Sequence, residues 1–94
     1  MLEIQKMITL STAHITEQTA KLLDKEPEEN NMAISVYKKS EYGWFLPIES
    51  ISYDTAAISK DLKKVIEFAK DHGCSWLCLD CDGPILEYMD TYEW

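Results

Sequence analysis

The period of the apolar positions changes several times along the chain, and each change predicts an element. Leu62, Val65, Ile66 and Ala69 recur at i, i+3, i+4 and i+7, which is one face of a helix. Ser59 stands where an N-cap belongs, and Gly73 where a left-handed residue ends a helix. Next, CSWLCL at residues 74–79 is apolar at nearly every position, as in a strand buried on both faces in the middle of a sheet. Residues 32–38 instead alternate, with Met32, Ile34 and Val36 set against Ala33, Ser35 and Tyr37, the period of a strand. KSEYG then reads as a hairpin loop with Gly43 supplying a positive φ, and WFLPI as the returning arm. Pro47 has no N–H to donate, which predicts an edge position for that arm.

The first third of the chain follows the same logic. KMITL at residues 6–10 is a short β-prone run, after which Thr16 caps a helix with Glu17 in its first turn. Ala20, Leu22 and Leu23 give that helix an apolar side, and Ile15 is placed to staple onto Ala20. The helix should end near Lys25, because Pro27 and the polar EPEENN follow. Residues 49–58 read as irregular connection. The last stretch, ILEYMDTYEW, is rich in aromatic and apolar side chains and predicts a tail that packs back over the domain.

The resulting order, β-α-β-β-α-β, predicts an α+β two-layer sandwich with two helices on a four-stranded sheet. A ferredoxin-like plait is the commonest form of that order, but it buries the third strand inside the sheet, where Pro47 fits poorly. A mixed-sheet variant with that arm at an edge is the alternative, and both stay open. A length of 94 residues holds one domain, residues 1–94, with a thin core.

Composition narrows the function classes. Nine lysines face seventeen acids, arginine is absent, and the net charge is −8. Direct nucleic-acid binding needs clustered cations and is not expected; a basic partner, or imitation of nucleic-acid charge, is permitted. MLEIQKMITL lacks the cationic start and long apolar core of a signal peptide, and no stretch approaches the ~20 apolar residues of a membrane span. A cytoplasmic protein without a membrane partner is the expectation. Three cysteines, an odd number, then read as reduced thiols.

Two short motifs invite chemistry. LDCDGP, residues 79–84, resembles the opening motif of the haloacid-dehalogenase phosphatases, in which Asp80 would be the nucleophile and Asp82 the general acid. Only residues 83–94 follow, and Pro84 stands where threonine is usual, so that enzyme has no room here. The two carboxylates at a strand end remain candidates for a divalent cation. Asp82-Gly83-Pro84 also reads simply as a turn. In STAHIT, the hydroxyls of Ser11 and Thr12 and the imidazole of His14 precede a helix N-terminus, where an anion can sit. The plainer reading makes Thr16 a cap and has His14 bond a backbone carbonyl. Topology connects the two motifs: parallel, adjacent first and last strands would carry His14 toward Asp80 and Asp82, and a plait would separate them. Cys78-x-x-Cys81 has zinc-like spacing, but it threads an apolar strand, and buried free thiols suit it better. Trp44, Phe45 and Trp76 read as packing residues.

Ser11 to His14, Gly43 with Trp44, and Leu79 to Gly83 at the end of FAKDHGCSWLCLDCDG together resemble a small uncharacterised bacterial family, a domain of unknown function associated with mobile elements. The resemblance spans nearly the whole chain. It implies a stand-alone cytoplasmic domain in which His14 and Asp82 are the first positions to test.

The expected function is therefore a non-enzymatic binding or regulatory module with no cofactor. Its candidate interface is Ile85, Leu86, Tyr88, Met89, Tyr92 and Trp94, facing a protein partner or a second copy. The alternative is a metal- or anion-binding, hydrolytic site built from Ser11, Thr12, His14, Asp80 and Asp82.

Overall fold

The computed structural model describes residues 3–25, 35–48 and 58–94. The expected strand over 32–38 falls partly outside these residues, and the expected connection over 49–58 almost wholly so. The observed order is β1 (Met7–Ser11), a 3-10 turn (Thr12–His14), α1 (Glu17–Leu23), β2 (Tyr37–Lys39), β3 (Gly43–Pro47), α2 (Lys60–Asp71) and β4 (Trp76–Asp80). This is the β-α-β-β-α-β sandwich that the periodicity predicts.

The four strands form one sheet in the order β1-β4-β3-β2. β1 and β4 run parallel, with Met7 opposite Trp76 and Ser11 opposite Asp80. The other two pairings are antiparallel. A parallel first and last strand rules out the plait and leaves the mixed sheet.

The edge position expected for the Pro47 arm is a misreading. β3 lies inside the sheet, between β4 and β2. Its ladder to β2 covers only Gly43–Phe45, whereas toward β4 it continues to Pro47 opposite Trp76. Amide directions alternate along a strand. Because the Ile48 N–H points to β4 and donates to the Ser75 carbonyl at 3.0 Å, the Pro47 nitrogen faces the β2 side, beyond Tyr37. An interior strand tolerates this proline because its described neighbour ends first.

Gly43 is also not the turn residue. The hairpin closes through Tyr42 N–H to the Lys39 carbonyl at 2.9 Å, and Ser40 takes the positive φ of 49°. Gly43 belongs to β3 for a different reason. A Cβ at that position would lie 1.7 Å from the Leu79 carbonyl oxygen, so the glycine permits the close contact of β3 with β4.

Alternate residues of the strands divide between two faces. Leu10, Trp44, Leu46, Leu77 and Leu79 join Ile15, Leu23, Leu62, Val65 and Ile66 in one buried cluster under the helices. Each fully buried leucine or isoleucine there contributes about 1.5–3 kcal/mol by leaving water. Cys78 is fully buried on the other face, where the Tyr37 and Trp76 ring centroids are 6.0 Å apart. Burial pushes its thiol pKa up, against the smaller opposing pull of Lys39.

The helix ends follow the sequence signals closely. Thr16 Oγ1 accepts the Thr19 N–H at 3.2 Å, which makes Thr16 the cap of α1, and Ile15 is fully buried beside it. α2 closes on Gly73, whose φ is 72°, with Cys74 N–H donating to the Ala69 carbonyl at 3.0 Å. Lys6 Nζ donates to the His72 carbonyl at 2.8 Å and ties this end of α2 to the entry of β1.

The two glycines have opposite environments, and their alanine variants should separate. Gly43→Ala places a methyl against the β4 backbone and should cost about 3 kcal/mol or more, lowering Tm by roughly 15 °C. At Gly73 the added Cβ meets nothing within 4 Å. Only the left-handed backbone is penalised there, and Gly73→Ala should cost about 1–2 kcal/mol. Thermal unfolding of both variants checks this; an equal loss at the two positions would contradict the fold.

Candidate functional site

Parallel pairing of β1 and β4 brings STAHIT and LDCDGP to the same end of the sheet. Ser11 Oγ accepts the Ala13 N–H at 3.0 Å and turns the chain sharply after β1. On the β4 side, Gly83 N–H donates to the Asp80 carbonyl at 2.9 Å and Asp82 N–H to Asp80 Oδ1 at 2.8 Å. That is an Asx-type turn. The strand end is a turn, as the plainer reading of the motif has it.

The two motifs meet through the tail, not through their acids. Ser11 N–H donates to the Pro84 carbonyl at 2.9 Å, and the tail then runs beside residues 11–15. His14 is 2% exposed, and both of its ring nitrogens are engaged. Leu86 N–H donates to Nε2 at 3.0 Å, while Nδ1 lies 2.9 Å from the Asp90 carbonyl oxygen. An amide N–H only donates and a carbonyl only accepts. These partners therefore fix a neutral imidazole with its proton on Nδ1. Tyr92 N–H donates to the Ala13 carbonyl at 2.8 Å, and Trp94 Nε1–H to the Ile15 carbonyl at 2.9 Å. Five hydrogen bonds thus hold residues 84–94 to residues 11–15. The exposed Lys64–Asp90 ion pair, at 2.9 Å, adds little to them.

Asp80 turns to the other face of the sheet. Its carboxylate pairs with Lys39, and that hydrogen bond, helped by the Asp82 N–H, holds it below the usual carboxylate range. The same hydrogen bond raises Lys39 above its ordinary value. Lys39 Nζ also sits 5.8 Å from the Phe45 ring centroid. Asp80, Cys81 and Asp82 bring one donor atom each within 4.8 Å of one another. A cation there would have to displace the Lys39 ammonium and accept a thiol beside two carboxylates, a mixed donor set for a hard ion. Cys81 is exposed, whereas Cys74 and Cys78 are buried, so the Cys78-x-x-Cys81 pair does not share one environment.

Asp61 carries a third cluster that the sequence reading passed over. Its side chain accepts from Thr16 N–H at 2.8 Å and from Thr16 Oγ1 at 3.2 Å, although the residue is 8% exposed. Thr19 Oγ1 and Ser59 Oγ are 2.9 Å apart, so the Ser59 hydroxyl joins the other helix instead of capping its own. The N-termini of α1 and α2 converge on this carboxylate, where helix dipoles favour negative charge. Burial alone would raise the Asp61 pKa; hydrogen bonds from Thr19, the Thr16 amide and Ser59 outweigh it and hold the carboxyl below its ordinary range.

The surface at this end of the sheet contains a groove of about 520 Å³, between the β2–β3 turn, the end of α1 and the tail. Thr12, Asp24, Lys38, Glu41, Tyr42, Trp44, Cys81 and Trp94 line it. A second groove, of about 370 Å³, lies between α2 and the tail and includes Phe68, Tyr88 and Met89. The expected interface residues divide accordingly. Leu86 and Met89 pack on the core and Tyr92 is half-buried, whereas Ile85, Tyr88 and Trp94 are 59%, 76% and 54% exposed. Lys39, Asp61 and the groove residues Tyr42 and Asp24 gave no motif, since their roles depend on partners distant in sequence.

The Asp61 cluster gives a pH-dependent prediction. Its carboxyl has a folded pKa below the unfolded value of about 3.9, so its stabilisation is complete above that pH and is lost as pH falls through the folded pKa. Asp61→Asn should cost about 1–3 kcal/mol at pH 7 and progressively less in acid. Denaturant unfolding at pH 7 and pH 3 measures the difference; the same cost at both would contradict the charged cluster.

Comparison with known proteins places the chain in a family. No curated protein and no solved structure matches the chain. A family match covers residues 7–94, from the first residue of β1 to the end of the tail, and so includes both motifs and the clamp between them. The chain belongs to the family described as "Family of unknown function (DUF5983) C-terminal domain".

Proposed function

We propose that the protein is a non-enzymatic binding module whose recognition surface is built around its C-terminal tail. The observation that supports this reading is the engagement of His14 at both ring nitrogens by the tail backbone. An imidazole so held offers no free lone pair to a substrate proton, and general base catalysis needs one within hydrogen-bond reach. Asp80 is likewise engaged, by Lys39 and the Asp82 amide. The tail residues fixed by this arrangement wall both grooves, Trp94 on one and Tyr88 with Met89 on the other.

A protein partner suits this surface better than nucleic acid, because the chain has nine lysines, no arginine and a net charge of −8. Among the described residues no helix is long and apolar enough to cross a membrane. Three free thiols suit a cytoplasmic setting. The sequence resemblance to accessory proteins of bacterial mobile elements fits a small adaptor of this kind.

Hydrolysis assays test the reading against its alternative. Nitrophenyl ester and phosphodiester cleavage, with Mg²⁺, Mn²⁺ or Zn²⁺, should stay at the buffer rate for the wild type, His14→Gln and the Asp80→Asn/Asp82→Asn double variant. A wild-type rate above buffer that falls tenfold or more in either variant would overturn the reading and return function to those residues.

A further inference from the structure

We infer that the 520 Å³ groove takes a cationic side chain, a guanidinium or ammonium, presented by a basic polypeptide. The inference rests on the binding-module reading and names the chemistry of its partner. The first support is the state of the aromatic lining. Trp94 donates its indole N–H to the Ile15 carbonyl at 2.9 Å, and Trp44 donates its own to Asp24 Oδ1 at 2.9 Å. Trp44 is 7% exposed and floors the groove, so Trp94 is the indole whose ring carbon is open to an incoming ligand. Trp94 is 54% exposed and Tyr42 47% exposed. A tethered indole on a residue this exposed is a preorganised platform, and ring faces attract cations, tryptophan most strongly.

Charge supplies the second support. Among the described residues the groove contains the carboxylates of Asp24 and Glu41 against the ammonium of Lys38, which lies 4.0 Å from Asp24. Lys38 leans on a carboxylate that also accepts the Trp44 N–H, and Glu41 brings a second negative charge to the rim. A phosphate or carboxylate ligand would meet two acids and one lysine. A cation meets rings and net negative charge, within a chain whose overall charge of −8 steers positive partners toward it. Thr12 and Ser40 add hydroxyls that can accept from a guanidinium.

Two-dimensional amide and indole NMR tests this with a defined probe, a capped Gly-Arg-Gly-Arg-Gly peptide, and its counterpart with neutral citrulline in place of arginine. The expected result is saturable shifts confined to the Trp94 and Trp44 indoles and to residues 40–43. Affinity should fall at least fivefold for the citrulline peptide, and at least fivefold in Trp94→Ala and in Glu41→Gln. Glu41 is an exposed turn residue, so its variant keeps the test informative if Trp94→Ala loosens the tail. Equal binding of the citrulline peptide would overturn the cationic specificity while leaving a binding module in place. Unsaturable shifts spread over all acidic residues would reduce the effect to bulk charge, and absence of any shift would remove the site; either overturns the inference. The hydrolysis assays decide the broader reading separately.

Discussion

The imidazole of His14 is the point on which the arrangement of the tail depends. It is almost fully buried and hydrogen-bonds two residues of the tail, Leu86 and Asp90, with opposite polarity on its two nitrogens. Only a neutral ring with its proton on Nδ1 satisfies both. A charged ring would set its Nε2 proton against the Leu86 N–H, and a buried donor without an acceptor costs the full desolvation of that group. The tail in turn supplies Trp94 to one surface groove and Tyr88 to another. A single tautomer thus underlies the way the tail is held against the domain.

The scaffold beneath this clamp is set by two other constraints. Parallel pairing of β1 with β4 places the segment after β1 beside the turn after β4, so residues 11–15 and the start of the tail emerge together. The buried carboxylate of Asp61 then joins the beginnings of both helices through Thr16 and, with Ser59 and Thr19, fixes how α1 and α2 approach that same end. Each device satisfies backbone or hydroxyl groups that would otherwise lose water without compensation. The clamp, the carboxylate and the parallel pair are therefore one arrangement seen from three elements.

Much of this was legible from local signals. The α2 face of Leu62, Val65, Ile66 and Ala69, the Thr16 cap and the left-handed Gly73 are short-range patterns, and the structure places all of them as read. The apolar CSWLCL run does lie inside the sheet. Pro47 misled because its rule concerns a strand with neighbours along its whole length, whereas β2 pairs with β3 only as far as Phe45. Gly43 misled because a glycine suits close backbone approach as well as a turn. The candidate site was half legible: parallel first and last strands do bring STAHIT and LDCDGP to the same end of the sheet. What the sequence did not carry is that His14 faces the tail while Asp80 faces Lys39, since both depend on contacts between residues far apart in the chain.

The tautomer of His14 is the most direct test of this account. Long-range proton–nitrogen correlation on the intact, nitrogen-15-labelled chain at neutral pH reports which ring nitrogen carries the proton. The hydrogen-bond geometry predicts a protonated Nδ1, an unprotonated Nε2, and a coupling across the hydrogen bond from the Leu86 amide to Nε2. A proton on Nε2, or a ring exchanging freely between its two neutral forms, would contradict it.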